Sequence, residues 1–384
     1  MLEKYLQLLG QDPRQKNGFR NFIVTAVVIS ITGNIIPTSL ELYTSLCDKN
    51  MDAVIDVFPH FMAATISAIK ILNIQINRQN FNKLLQFVAK QWEQLKLNNE
   101  LYVLNQTVMQ GNKMAQLYRR SLLSALILFL LVPLVSPILD VVLPLNETRP
   151  RQQLLKINYI IFDDADYFFY VYIQLAWGSI MVVVTIISVD SLYILIIHHN
   201  SGLFAVCGSQ VQKTTENNFV EKNGTNISNI GYDAFKECVM MHYKCLQLYD
   251  VLEKCCRNLY LITMVLNGVI LSVTAVEVIV FLDRPAEAIR AIVYLAAQQF
   301  HLYMISLPGQ TLLDQSVELA DKIYDSNWYK IPTKLQKVLY LMQVRSNKPC
   351  ILTAAGIYEM NIESFGITVK ACMSYFTMFL SLRE

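Results

Sequence analysis

The stretch "LLSALILFLLVPLVSPILDVVLPL", residues 122–145, carries a single charge, Asp140. A helix crosses the hydrocarbon core of a bilayer with roughly 20 mainly apolar residues, so this stretch predicts a membrane span. The composition agrees. Of the 384 residues, 54% are hydrophobic and only 16% charged, against about 25% charged in soluble domains. Mean hydropathy is +0.35. A net charge of +2 supplies no field for a nucleic-acid partner, and none is expected. There is no linker-like run, repeat or low-complexity segment, so residues 1–384 read as one unit embedded in a lipid bilayer. The N-terminal "MLEKYLQLLGQDPRQKNGFR" lacks the apolar core of a signal peptide.

Working outward, we expect an all-α membrane protein with seven transmembrane helices: Phe22–Tyr43, Ala53–Ile76, Leu122–Leu145, Tyr167–Ile197, Leu259–Leu282, Ile289–Leu307 and Ile351–Leu382. The second and sixth are interrupted or flanked by Asp56, Lys70, Arg290 and His301, as in spans that face other helices rather than lipid. The fourth and seventh exceed what a bilayer requires and are expected to tilt or extend beyond it. With the N-terminus cytosolic, the inner segments hold 24 of the 32 Lys and Arg and the outer loops 6, Lys370 lying inside the last span and Arg383 after it. That asymmetry follows the positive-inside rule and places the C-terminus outside. Asn146 heads an outer-loop sequon, a candidate for glycosylation, whereas the sequons at Asn105, Asn223 and Asn226 fall in inner loops.

An inside N-terminus reverses the topology of a G-protein-coupled receptor, and neither its acidic-Arg-Tyr triplet nor its Asn-Pro-x-x-Tyr turn is present. Enzyme chemistry finds no clustered catalytic set. The five histidines form no His-Glu-x-x-His pair, and His198-His199 reads as an interfacial polar pair closing the fourth span. "FDDADYFF" (162–169) is an outer-loop acidic cluster with too few defined oxygen ligands for calcium. Such a cluster at a channel mouth would concentrate cations. No metal and no cofactor is expected. Most of the eight cysteines lie on the inner side, where thiols stay reduced, and no disulfide is expected. A transporter would show two-fold hydropathy repeats, which are absent.

In the last span Glu359, Glu363, Lys370, Ser374, Thr377 and Ser381 fall within about 30° of one direction at about 100° per residue. A polar stripe on a membrane helix faces either neighbouring helices or water. It is an interior seam or the wall of a pore, and the pattern alone does not choose.

The C-terminal third resembles insect odorant receptors. The matching parts are "GQ" (309–310), "SVELADKIY" (316–324), "WY" (328–329), "RSNKP" (345–349), "LTA-x-G" (352–356) and "SYFT" (374–377), supported by "YIQ" (172–174) and "DSLY" (190–193). "SLPGQ" departs from the aromatic and Cys common before Gly-Gln. The sister gustatory family, a further alternative, ends in a Thr-Tyr…Gln-Phe pattern that "SYFTMFLSL" lacks. The resemblance implies an odorant-gated, nonselective cation channel in the plasma membrane of olfactory sensory neurons. Such channels are tetramers of a tuning subunit with a shared coreceptor subunit. The coreceptor carries a long insertion between spans four and five. Here that loop runs only from about residue 198 to 258, so the chain resembles a tuning subunit.

The resemblance also implies site residues. Residues 351–384 would line the pore for permeant cations, with Met378 narrowing it and Ser381 one turn nearer the mouth; the polar stripe adds Lys370, Ser374 and Thr377 as water-facing. Met378 lies about 80° from Lys370 at 100° per residue, so a helix rotation exchanging it with Thr377 would turn an apolar constriction polar. Residues 311–350 would form a cytosolic anchor where subunits meet. A small, volatile, mostly apolar odorant would bind in the outer half of the bundle among spans two, three, four and six. Counting about 9 residues inward from each outer end, roughly 13 Å at 1.5 Å per residue, selects Phe61, Met62, Val132, Ser136, Ile173, Gln174, Trp177, Tyr294 and Gln298. Trp177 and Tyr294 offer the largest flat faces.

Overall fold

In the computed structural model, residues 7, 10, 15–97, 101–142, 153–159, 167–217 and 229–383 are described. They form ten α-helices, two short 3₁₀ turns and one two-stranded hairpin. The helices are α1 (Asn17–Cys47), α2 (Met51–Ile76), α3 (Arg78–Leu97), α4 (Leu101–Leu131), α5 (Val135–Val142), α6 (Phe168–Asn217), α7 (Asn229–Val280), α8 (Pro285–Tyr324), α9 (Thr333–Ser346) and α10 (Ile362–Arg383). The acidic cluster at 162–166 and Asn146 lie outside the described residues.

Each expected span falls on a helix, but the helices run well past the spans. α1, α2, α4, α6 and α7 are long and apolar enough to cross a membrane. α8 and α10, which carry the sixth and seventh expected spans, fall short of that standard among the described residues. The third span belongs to a helix that starts at Leu101 and breaks into a 3₁₀ turn at Val132–Leu134. Pro133 lies in that turn, where its missing N–H and ring disfavour continued α-helix. α6 is about 75 Å long at 1.5 Å per residue, more than twice a hydrocarbon core of about 30 Å.

α6 is the hub, packing against α1, α2, α4, α7 and α8. The largest hydrophobic cluster gathers Leu192, Leu203, Phe204 and Val211 of α6 with Phe235, Cys245, Leu252 and Cys256 of α7, Leu312 and Leu319 of α8, and Leu339 of α9. It lies mostly beyond the expected spans, in the half of the molecule that carries the Lys- and Arg-rich segments. His198 and His199 therefore do not close a helix at a polar boundary. They sit buried in the middle of one, 3% and 2% exposed, with His198 Nδ1 2.8 Å from the Ile194 carbonyl and His199 stacked on Trp92. Beside them, a Cβ on Gly111 would stand 2.7 Å from the His198 ring, so α4 reaches α6 closely only because residue 111 has no side chain.

The last span is corrected at its start. Residues 351–361 are not helical. Thr353–Ala354 pairs antiparallel with Tyr358–Glu359 around a tight turn in which Ala355 (φ 54°) and Gly356 (φ 77°) both take the left-handed conformation. A continuing helix excludes that conformation, so Glu359 drops out of the helical stripe. α7 holds the hairpin in place. Glu253 accepts from the Thr353 N–H at 3.0 Å and from its hydroxyl at 2.5 Å, Tyr249 donates to the Ile351 carbonyl at 2.8 Å, and the Ala355 N–H donates to the Arg257 carbonyl at 3.3 Å.

Two residues then start α10. The Asn361 side chain accepts from the Ser364 N–H at 2.8 Å, the capping bond expected of Asn at a helix start. Gln310 accepts from the Ile362 N–H at 3.2 Å. Its neighbour Gly309 leaves room for the hairpin backbone, since a Cβ there would lie 1.9 Å from the Met360 carbonyl oxygen. "GQ" is thus a junction between α8 and α10. Gly309→Ala is expected to destabilise the protein by about 1–3 kcal/mol through overpacking, read as a lower Tm in detergent. Gly268→Ala, where nothing lies within 4 Å of the added carbon, should leave Tm unchanged or raise it slightly.

Candidate ligand-binding cavity

Where α1, α2, α4, α6, α7 and α8 converge, a cavity of about 190 Å³ remains. Its walls follow helical spacing: His60, Ala63, Ala64 and Ile66 on α2, Leu122, Ala125, Leu126 and Phe129 on α4, Ser179, Val182, Val183 and Ile186 on α6, and Tyr294, Ala297, Gln298 and His301 on α8. Asn34 and Thr38 of α1, Asn267 and Ile270 of α7, and Leu155 from the segment before α6 complete it. Alanines at 63, 64, 125 and 297 open the space, and the wall is mainly apolar with a few polar groups, the character of a small-molecule site. Its volume falls below the roughly 300–1,000 Å³ of pockets for drug-sized ligands.

The polar groups are positioned individually. The Tyr294 hydroxyl donates to the Pro59 carbonyl at 3.4 Å and accepts from Gln298 Nε2 at 3.0 Å. His60 lies against both Tyr294 and Phe129, ring centroids 5.2 and 5.5 Å away. Asn34 donates weakly to the Leu175 carbonyl and to Ser179, both at 3.5 Å. α6 accommodates that amide because residue 178 is glycine: a Cβ would meet Asn34 Oδ1 at 2.2 Å.

One turn beyond the cavity on α2, α4 and α6, and meeting its wall at His301 on α8, lies a buried charged network. Lys70 of α2 forms an ion pair with Asp190 of α6, their side chains 4% and 7% exposed. Tyr118 of α4 donates to Asp190 Oδ2 at 2.7 Å and stands 2.7 Å from His301 Nδ1 of α8. A buried charge in a membrane helix must be paired, and this pairing fixes the rotation of four helices around the cavity floor. At the opposite end Asp56 pairs with Arg290 and, at 2.9 Å, with Lys156. The charges that interrupt the second and sixth spans thus mark contacts between helices.

The sequence-derived ligand residues divide by face. Tyr294 and Gln298 line the cavity. Phe61 and Met62 are half-buried next to His60 but do not line it. Ile173 and Trp177 are 64% and 54% exposed, and Trp177 Nε1 donates to Ser30 on α1 at 3.0 Å. Gln174 is held between the Gly33 carbonyl at 3.0 Å and the Tyr159 hydroxyl at 2.5 Å. Val132 lies in the 3₁₀ turn and Ser136 in α5, both beyond Phe129, and their side chains are outside the described residues. Counting residues sets depth along a helix but not rotation about it. α6 is apolar on every side, so its sequence does not reveal which face turns inward, and its cavity residues begin at Ser179. The missed residues His60, Asn34, Asn267 and His301 had a usable signal: each is an Asn or His within an apolar span.

The other predicted sites sit elsewhere. Lys370, Ser374, Thr377, Met378 and Ser381 are all exposed on α10, which packs mainly along α7 and α8. Thr377 and Ser381 hydroxyls bond back to the carbonyls of Met373 at 3.1 Å and Met378 at 2.8 Å. Lys370 forms no ion pair among the described residues, Glu363 included. Residues 311–350 comprise the end of α8, the turn Trp328–Lys330 and α9, with Tyr324, Tyr329, Tyr340 and Leu341 exposed.

Long apolar helices, paired intramembrane charges and a mainly apolar cavity between helices describe a multi-pass membrane protein. The 7tm Odorant receptor family model matches residues 50–373, and the chain belongs to that family. Members of this family are odorant-gated cation channels rather than enzymes. Odorant receptor 13a of Drosophila melanogaster is 19% identical over 339 residues, covering 83% of this chain and 77% of that one. Odorant receptor 30a of the same species is 25% identical over 37% of each chain, and Odorant receptor Or2 of Anopheles gambiae 22% identical over 38% and 39%. Among solved structures, the insect olfactory receptor OR5 from Machilis hrabei in complex with eugenol shares the fold, with a TM-score of 0.74 and 12% identity over 99% of this chain and 97% of that one.

Removing one partner of the buried pair should be severe. Lys70→Met leaves Asp190 as an uncompensated buried charge and is expected to cost about 3–5 kcal/mol, read as lost surface expression. Lys70→Met with Asp190→Leu removes both charges and should recover much of it. Equal loss in the single and double variants would mean that the charge itself is not what the pairing stabilises.

Proposed function

We propose that this chain is the odorant-specific subunit of a heteromeric, odorant-gated, nonselective cation channel in the plasma membrane of olfactory sensory neurons. The observation that carries the reading is the mainly apolar cavity among six helices in a chain of the odorant receptor family. In this reading seven helices, α1, α2, α4, α6, α7, α8 and α10, cross the membrane. The N-terminus is cytosolic and the C-terminus extracellular.

The ligand is a small, volatile, mostly apolar odorant. Phe129, Val183, Ile186 and Tyr294 provide dispersion contact, and Gln298 and His301 provide polar contact. Binding is matched to the geometry because the walls are preformed by helices that the two charged clusters hold in register.

α10 supplies the pore. Most of the described side chains of its outer half are exposed in the single chain, so it is a helix awaiting neighbours. Copies around an axis would place Ser374, Thr377 and Ser381 towards water, with Met378 as an apolar constriction that blocks ions by excluding water. Subunits meet through residues 311–350, whose exposed aromatics beside a solvent-facing groove lined by Trp328, Lys337 and Tyr340 suit an interface core. The partner is a shared coreceptor subunit. Only residues 218–228 separate α6 from α7, which supports assignment as a tuning subunit.

Expressed alone, the chain should give little odorant-evoked current, and robust current without a coreceptor would overturn the heteromer. In the co-expressed channel, Ala125→Phe and Ala297→Phe should each raise the odorant EC50 at least about tenfold by filling the cavity, equivalent to about 1.4 kcal/mol of lost affinity. Trp177→Ala should leave it unchanged. Two unshifted dose–response curves in the filled variants would place the ligand elsewhere. Cysteines at 374, 377 and 381 should be blocked by an external charged thiol reagent, while a cysteine at 378 raises basal leak. Silence at all four would return the stripe on α10 to an interior seam.

A further inference from the structure

We infer that the cavity selects odorants carrying a hydrogen-bond donor, alcohols and phenols over ketones and ethers of the same skeleton, because His301 presents a bare Nε2 to it as an acceptor. The inference rests on the reading of this cavity as the odorant site.

The argument is a count of protons. Asp190 is paired with Lys70, so its carboxylate is ionised and can only accept. Tyr118 has one hydroxyl proton and two neighbours, Asp190 Oδ2 at 2.7 Å and His301 Nδ1 at 2.7 Å. The proton goes to the carboxylate, which has none to give. The Tyr118 oxygen is then left as an acceptor towards His301, and Nδ1 must carry a hydrogen to meet it. Asp190 is the shared carboxylate of Lys70 and of His301, whose Nδ1 stands 3.8 Å from Oδ2, so a positive imidazole would set two cations against one carboxylate in a site that is 7% exposed at His301, and the ring is neutral. A neutral imidazole has one N–H, so Nε2 keeps a lone pair and no proton.

That nitrogen is free to act. No described residue is hydrogen-bonded to it, and it is not among the sealed, unpartnered polar atoms of the interior, while His301 itself lines the cavity. Of the other α8 polar groups, Gln298 commits one N–H to Tyr294, and Tyr294 its proton to the Pro59 carbonyl. A hydroxyl at the cavity floor completes the chain from Lys70 through Asp190, Tyr118 and His301. A carbonyl or ether oxygen there faces a lone pair and leaves Nε2 desolvated and unpaired, the expensive half of the hydrogen-bond balance.

The test uses matched pairs on the co-expressed channel, secondary alcohols against their ketones from 2-pentanol/2-pentanone to 2-decanol/2-decanone. The active alcohols should have an EC50 about three- to tenfold below their ketones, the range expected for one net hydrogen bond. His301→Phe should bring that ratio to about one. Tyr118→Phe, a change at a positioning residue, releases the tautomer and should shrink the ratio while His301 remains. The tautomer is also read without any odorant. Solid-state ¹⁵N NMR of histidine-labelled protein, with the His301→Phe spectrum subtracted, should show a protonated Nδ1 and a bare Nε2. Equal potencies within active pairs, or a protonated Nε2 in the spectrum, overturn the donor preference alone. Silence to every pair, with the chain at the cell surface, overturns the odorant reading of the cavity and the preference with it.

Discussion

The ion pair between Lys70 and Asp190 is the constraint around which the helices are arranged. A charge inside the hydrocarbon region is tolerated only with a partner, and among the described residues Lys70 has Asp190 as its counter-ion, with the His301 ring 3.8 Å from the same carboxylate. Because they sit on α2 and α6, the rotation of both helices is fixed at that level. Tyr118 and His301 bring α4 and α8 to the same point. With α2, α4 and α6 pinned one turn below it and α8 pinned at its floor, the cavity cannot collapse as a purely apolar contact would. Alanine at 63, 64, 125 and 297 then leaves the space that larger side chains would have filled. The pairing of Asp56 with Arg290 and Lys156 at the other end clamps α2 to α8 a second time. The cavity therefore lies between two electrostatic clasps.

How much of this the sequence carried depends on the kind of signal. Hydropathy located a helix at each expected span, because apolar runs long enough for a bilayer are rare by chance. Charges within spans two and six were legible as helix contacts, but Asp190 hid inside the longest apolar stretch. The partnership of Lys70 and Asp190, 120 residues apart, is a property of the packed bundle. Helix ends were poorly legible. α6 and α7 continue far past the apolar region because a second core, built from Leu203, Phe204, Cys245 and Leu252, replaces lipid with protein, and hydropathy does not distinguish the two environments.

The start of the last helix shows a different limit. Residues 351–361 are apolar enough to read as membrane, yet the left-handed pair Ala355–Gly356 and the clasp by Glu253, Tyr249 and the Arg257 backbone make them a hairpin. Only Gly356 announces that turn locally, since Ala rarely takes a positive φ. The hairpin matters because it converts α10 from an extension of the chain into a separate rod. Its first turn is fixed by Gln310 and Asn361, and its far end makes few contacts within the subunit.

The cavity and the end of that rod are joined through α8. His301 at the cavity floor and Gln310 at the head of α10 lie on one unbroken helix, about 13 Å apart at 1.5 Å per residue. Between them Pro308 removes one backbone hydrogen bond, the kind of position at which a helix bends with least resistance. Gly309, next to it, meets the hairpin carbonyl of Met360 with no side chain to cushion the contact. A small displacement of α8 at His301 thus reaches α10 through backbone against backbone, where there is no flexible side chain to absorb it. A cavity held rigid by charge and a rod whose first half packs on α7 and α8 while most of its outer described side chains are exposed together form an arrangement in which occupancy at one can reposition the other.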